Sequence, residues 1–249
     1  FPKIENVFVT PIPHDGGLAV GASQYVWHHI LDNPRITWND NFTPYLGKTY
    51  GHEEINEAIN SRDSLSVEEA TDTQVLKLLE DQKIVAVFGG GSESGRRALG
   101  NRSILVDPRS QLMKDTINKR VKHRQSFRPF APSILREEVT NWFTKDQSSP
   151  YMSFVLNFRE DKKDLVPAVN HVNGTARLQT VTKNDNEWYY NFIKEWNDMT
   201  GVPILLNTSF NDREPICETP AHAIDCFLRT DIDYLYFYQL GVLVSKVSN

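Results

Sequence analysis

Residues 83–88 read KIVAVF, an apolar run rich in β-branched residues, and end on three glycines, Gly89–Gly91. A strand without polar alternation has to be covered on both faces, which calls for a sheet carrying helices. The chain is therefore expected to be α/β. At 249 residues it has room for one large domain or two small ones.

Periodicity places further elements around that strand. NVFVT (6–10) reads as a short strand closed by PIPHDGG. LAVGASQYVWHHIL has helical spacing with small residues suited to close packing on a sheet. Residues 32–51 are turn-rich and aromatic, a linker or surface loop. A short helix is expected over 52–60, and a firmer one from Thr73 to Asp81, with Val75, Leu76 and Leu79 inward and Asp72 as cap. Ser66 with Glu69 has capping-box spacing. Asp107 and Pro108 suit the N-cap and first position of a helix. On that helix Met113, Ile117 and Val121 form the buried stripe, and Asn118 and Lys122 occupy another face, where Lys122 could reach a ligand. GVPILLNTSFN reads as an apolar strand running into a polar turn, a usual ligand position in open α/β sheets. A domain boundary is expected near residue 65.

Composition excludes several classes. Hydrophobic residues make up 39% and charged residues 24%, which supports a packed core and not a disordered chain. No apolar run reaches the roughly 18–20 residues of a membrane span, and no signal peptide is visible. Cys217 and Cys226 lack CxxC spacing and give no disulfide framework, so a reduced, cytoplasmic setting is expected. The first residue is Phe1 and not methionine, as in a fragment of a longer chain.

Charge is distributed unevenly. Between Ser94 and Arg128 stand seven arginines and three lysines against only Asp107 and Asp115, in a chain of net charge −5. A local basic excess in an acidic protein points to a bounded anionic ligand rather than general nucleic-acid affinity. Planar guanidinium suits bidentate phosphate or carboxylate recognition; the plain alternative is a solvated basic helix face. In SFRPFAPSIL, Pro129 stiffens the backbone at Arg128, as rigid placement of a cation requires. The glycines of GGGSESG miss dinucleotide spacing and no Walker lysine follows, so they serve a tight turn or close approach to an anion. Two other readings remain: a Rossmann-type nucleotide-binding protein, which needs a βαβ unit around 83–110, and an RNA-binding module stacking bases on Phe127 and Phe130.

SGRRALGNRSIL, NKRVKHRQSFRPFAPSIL, NGTARLQTV and GVPILLNTSFNDREPICETPAHAID together resemble the C-terminal domain of the O-carbamoyltransferase family, the nodulation and antibiotic-tailoring enzymes. PHDGGLAVGAS resembles the end of that family's N-terminal, actin-like ATPase-type domain. The resemblance implies a YrdC-like twisted open sheet with helices over 66–249, preceded in 1–65 by the tail of the actin-like domain and a linker. It implies that ATP, with Mg2+, and carbamoyl phosphate meet in one pocket. Carbamate released there attacks the α-phosphate, giving carbamoyl-adenylate and pyrophosphate, and the upstream domain, missing here, passes the carbamoyl group to a hydroxyl-bearing acceptor. Adenylate formation is the part expected of this chain.

Residue by residue, Arg97 and Arg102 resemble the family's phosphate-loop arginines. Lys122 and Arg128 resemble its KxxxxxR anion pair and, with Arg97, would be catalytic. Arg177 resembles a third arginine of the pocket, and Ser209, Asn211 and Thr208 its polar loop. Asp15 resembles a ligand to a divalent metal, iron by resemblance, whose other ligands lie outside this chain. Arg102 and Arg177 also suit structural ion pairs. The chain departs from the family pattern at Glu93-Ser94-Gly95-Arg96-Arg97, at Gly91, where arginine is common, and at Asn173, where aspartate is usual. No membrane or nucleic-acid partner is expected, and a homodimer is left open.

Overall fold

The computed structural model describes residues 7–35 and 43–247. Nine strands form one open mixed sheet: β1 (Leu65–Glu69), β2 (Val85–Phe88), β3 (Arg102–Val106), β4 (Ala131–Leu135), β5 (Phe154–Asn157), β6 (Thr175–Val181), β7 (Ile204–Ser209), β8 (Tyr234–Phe237) and β9 (Val242–Lys246). Their order is β1-β9-β8-β2-β3-β7-β4-β6-β5; β2 runs parallel to β8 and β4 parallel to β6, and the remaining neighbours are antiparallel. The expectation of an open α/β sheet holds.

The apolar run around β2 is covered on both sides, as its lack of alternation requires. Ile84, Ala86 and Phe88 join one core with Ile55 and Ile59 of α2 (His52–Asn60), Met113 and Ile117 of α4 (Gln111–Ile117), and Ile224 and Phe227 of α7 (Pro220–Arg229). Val85 and Val87 join the other with Val75, Leu76 and Leu79 of α3 (Asp72–Glu80) and Tyr189, Phe192 and Trp196 of α6 (Glu187–Thr200). Local signals start and stop these helices. Thr71 and Gln74 form a reciprocal capping box, Asn186 accepts from the Tyr189 N–H, and Gly201 closes α6 at φ +72°. A four-residue helix, α5 (Val139–Trp142), follows β4.

Several local expectations are corrected. Residues 7–10 form no strand, because no sheet edge lies beside them to complete a ladder, and Val7 and Phe8 stand exposed; residue 6 lies outside the described residues. The helix expected after PIPHDGG is present as α1 (Gly17–Tyr25), continued by a π turn at Val26–Ile30, but none of its side chains is buried. Both sheet faces are already covered by other helices. Ser66 and Glu69 lie in β1, paired with β9, and cap nothing. Asp72 is the first residue of α3, and its carboxylate instead accepts from the Tyr236 hydroxyl and the Trp188 indole. The helix expected at Asp107 starts at Gln111, because the buried Asp107 carboxylate is taken up by Arg109 and by Gln82 Nε2. Part of the 32–51 loop, residues 36–42, lies outside the described residues.

β2 passes directly into antiparallel β3, so the βαβ unit of a Rossmann-type reading is absent around 83–110. The turn between them ends at Gly100, where φ is +121° and an added Cβ would stand 2.5 Å from the Tyr189 ring. Gly100→Ala is expected to cost about 1–3 kcal/mol, read as a lower urea midpoint with an unchanged slope.

Candidate anion-binding site

The mixed sheet brings the C-terminal ends of β2, β7 and β8 to the same edge as the N-terminal ends of β3, β4 and β6. The basic window splits into two groups with different surroundings, and two of its arginines, Arg109 and Arg120, lie at the opposite edge beside Asp107 after β3 and Asp233 before β8.

One group is built into the fold. Arg102 is fully buried: its guanidinium stacks 3.6 Å over the Phe88 ring and donates to the carbonyls of Gly89 at 2.6 Å, Asn101 at 3.0 Å and Gly90 at 3.3 Å. Burial works against its charge, and the carboxylates of Glu93 and Glu218 counter that. Glu93 accepts from the backbone N–H groups of Leu99, Asn101 and Arg102, while its burial pushes the carboxyl upward. Arg109 pairs with Asp107, and Arg120 with Asp233. Lys122 is buried, and its ammonium donates to the Ser209 carbonyl at 2.5 Å, the Asn211 carbonyl at 2.7 Å and Asn211 Oδ1 at 2.8 Å. Lys122 thus clamps the polar turn after β7. Burial and the charge of Arg124 push it down to about 7.

The second group lines a cavity of about 90 Å³. Arg96, Arg97, Arg124 and Arg177 stand around it with Asn207, Thr208 and Ser209, and among the described residues no carboxylate lines it. Like charges crowd here: burial and then Arg97 and Arg124 push Arg177 down to about 10, burial and Arg96 lower Arg97, and burial and Arg128 lower Arg124. Arg177 Nε is buried with no hydrogen-bond partner. Arg124 is held in place by Asn118 Oδ1 at 2.7 Å and by the Phe130 ring at 4.5 Å. Guanidinium groups converging without a counter-carboxylate make a site for an anion.

Of the residues singled out in the sequence, the fold gathers Arg97, Arg177, Thr208 and Ser209 at the cavity and sets Lys122 and Asn211 directly behind Ser209. Arg102 supports the glycine loop rather than lining the cavity, and Arg128 stands exposed on the adjoining loop. Arg96 and Arg124 also line the cavity although no motif assigned them a role; their sequence signal is the basic character of SGRRALG and of the KHRQSFR loop. Phe130 is buried, so of the two rings an RNA-stacking reading needs, only Phe127 is exposed. An arginine in place of Gly91 would meet the carbonyls of Gly47 and Tyr45, since a Cβ there falls 2.7 and 2.8 Å from them. Asn173 accepts from the Thr175 hydroxyl in the turn before β6.

Asp15 is exposed on the turn into α1, and among the described residues no group of three metal-ligating side chains includes it. By itself it does not make a metal site. Cys217 and Cys226, nine residues apart, do meet: their sulfurs and a Glu214 oxygen lie within 4.8 Å of one another. Pairing with Cys226 and burial push the Cys217 thiol up, and Arg229 holds Glu214 in an ion pair.

Residues 76–245 match the family model of the carbamoyltransferase C-terminus. The chain belongs to the carbamoyltransferase family. It is 42% identical to the nodulation protein NolNO of Sinorhizobium fredii, over 93% of this chain and 35% of that protein. It is 40% identical to NolO of Bradyrhizobium diazoefficiens, over 93% of this chain and 43% of that protein. The chain thus spans less than half the length of these curated relatives. Full-length HypF, crystallised in a phosphate- and nucleotide-bound form, aligns with 74% of this chain and 22% of its own at a TM-score of 0.47 and 20% identity.

Two outcomes are expected from these surroundings. Arg102→Leu leaves carbonyls of the glycine loop unpaired and should lose about 3–5 kcal/mol in urea unfolding, whereas exposed Arg128→Ala should stay within about 0.5 kcal/mol. Lys122 is cationic below about 7 and neutral above it. Sulfate, which does not titrate in this range, should therefore bind severalfold more weakly as pH rises from about 6 to about 8. Calorimetry should show that slope flattened in Lys122→Met.

Proposed function

We propose that this chain activates carbamoyl phosphate with ATP and supplies carbamoyl-adenylate for transfer to a hydroxyl group. The observation that carries the reading is the cavity of Arg96, Arg97, Arg124 and Arg177, with no carboxylate in its lining among the described residues, in a chain of the carbamoyltransferase family. Hydrolysis of carbamoyl phosphate gives phosphate and carbamate. Carbamate oxygen then attacks the α-phosphate of ATP, and pyrophosphate leaves. Both substrates are polyanions, and their mutual repulsion at one site calls for several fixed cations.

Arg97 and Arg177 are assigned to the transferring anions, with Arg96 and Arg124 beside them; the Thr208 hydroxyl donates to phosphate oxygens, and Ser209, whose proton lies on Asn211 Oδ1 in the free protein, turns it to them when the anion enters. Lys122 and Asn211 hold Ser209 in position, Arg102 holds the glycine loop, and Arg128 meets the nucleotide from the exposed loop as the substrates enter. Mg2+ would arrive with the nucleotide and neutralise charge on its phosphates. Residues 66–249 are assigned to activation. Residues 1–65 are assigned to a linker and to the tail of a transfer domain, in which Asp15 joins metal ligands supplied from elsewhere, iron being the metal. The acceptor is a hydroxyl-bearing small molecule, and the setting cytoplasmic.

Pyrophosphate release from ATP should depend on carbamoyl phosphate and fall at least about a hundredfold in Arg97→Ala and in Arg177→Ala, as removal of one transition-state donor does. ATP turnover that ignores carbamoyl phosphate, or survives both substitutions, would sink the assignment.

A further inference from the structure

Asn207 lies on β7, 1% exposed, and lines the arginine cavity. Its Nδ2 has two hydrogens and faces three acceptors, Ala98 O at 3.1 Å, Ser133 Oγ at 3.0 Å and Gln179 Oε1 at 3.0 Å. Those partners fix which way the amide points. Gln179 Nε2 donates to the Leu99 carbonyl at 2.8 Å, so its Oε1 is the end turned to Asn207. Ser133 gives its proton to that same Oε1 at 2.7 Å and is left to accept. Turning Asn207 over would set its oxygen against the Ala98 carbonyl and Gln179 Oε1, an arrangement of acceptors only. Asn207 therefore keeps Oδ1 away from this network, and that atom is buried without a hydrogen-bond partner.

An unpaired buried acceptor costs free energy unless something donates to it. Around the cavity the charged groups are guanidiniums, all donors. A ligand made of oxygens alone satisfies the arginines and leaves Oδ1 unmet or facing another oxygen. A ligand combining phosphate oxygens with an N–H donor satisfies both. We infer that Asn207 Oδ1 receives the NH2 of the carbamoyl group and so distinguishes carbamoyl phosphate from acyl phosphates. This rests on the anion-site reading above, and it assigns Asn207 a role in specificity rather than in the chemical step.

Acetyl phosphate is the natural probe, since it replaces NH2 by a methyl group of similar size. Titration calorimetry on the 249-residue chain would compare carbamoyl phosphate, acetyl phosphate and inorganic phosphate. Wild type should bind carbamoyl phosphate at least about fivefold more tightly than acetyl phosphate, the low end of what one unpaired buried acceptor implies. In Asn207→Leu the ratio should approach one; the lost tie to the Ala98 carbonyl weakens both ligands alike, so the ratio and not the absolute affinity is read. Equal wild-type affinities for the two acyl-type ligands, with phosphate still bound, would overturn this inference and leave the anion site standing. An unchanged preference in a folded Asn207→Leu would also overturn it. No binding of any of the three would remove the anion site and the inference together. The wild-type ratio decides the matter alone should the variant fail to fold.

Discussion

Asn207, Ser133 and Gln179 stand on three neighbouring strands and form one buried hydrogen-bonded layer. Through the carbonyls of Ala98 and Leu99 this layer ties the loop before β3 down onto the sheet. Arg96 and Arg97 immediately precede that tie, and Glu93 grips the same loop from the other side through the N–H groups of Leu99 and Asn101. A loop rich in glycine has much conformational freedom to lose, and several buried polar contacts are what hold it in one place. The cavity wall exists because this layer is satisfied on its protein-facing side.

Crowding of arginines is the complementary cost. Burial and neighbouring like charges lower Arg177, Arg97 and Arg124, Arg177 most clearly. The fold meets that cost by rigid placement. Arg124 is fixed by Asn118 and Phe130, Arg177 by its place on β6, and the turn carrying Ser209 by the buried ammonium of Lys122. Fixed donors need no reorganisation when charge develops beside them, which is the advantage of holding repelling groups in a folded frame. Ligand binding should stabilise such a protein by relieving the repulsion.

Much of the fold was legible because its signals are local. The apolar run of β2, the stripe of Met113, Ile117 and Val121, and the strand entering Asn207-Thr208-Ser209 each sit where pattern placed them. Local cues failed where a distant partner competed for the same group. Asp107 does not cap a helix because Arg109 and Gln82 occupy its carboxylate, and Ser66 and Glu69 do not cap one because β9 offers their backbone a ladder. Helical spacing in α1 was right while its packing was not, since periodicity shows that a face is apolar but not what covers it.

The amino-acid order alone determined the α/β class, the concentration of cations between Ser94 and Arg128, and the motifs shared with carbamoyltransferases, since each is a property of composition and spacing. Only the tertiary structure decided which cations face a ligand. Arg102 and Arg97 are five residues apart in one motif, yet one is sealed among carbonyls and the other opens on the cavity. Likewise Asn207 is left with a bare acceptor through contacts between segments far apart in the chain. Whether a charge is spent on the fold or free for a ligand depends on which distant groups the packing places against it, and spacing along the chain carries no record of that.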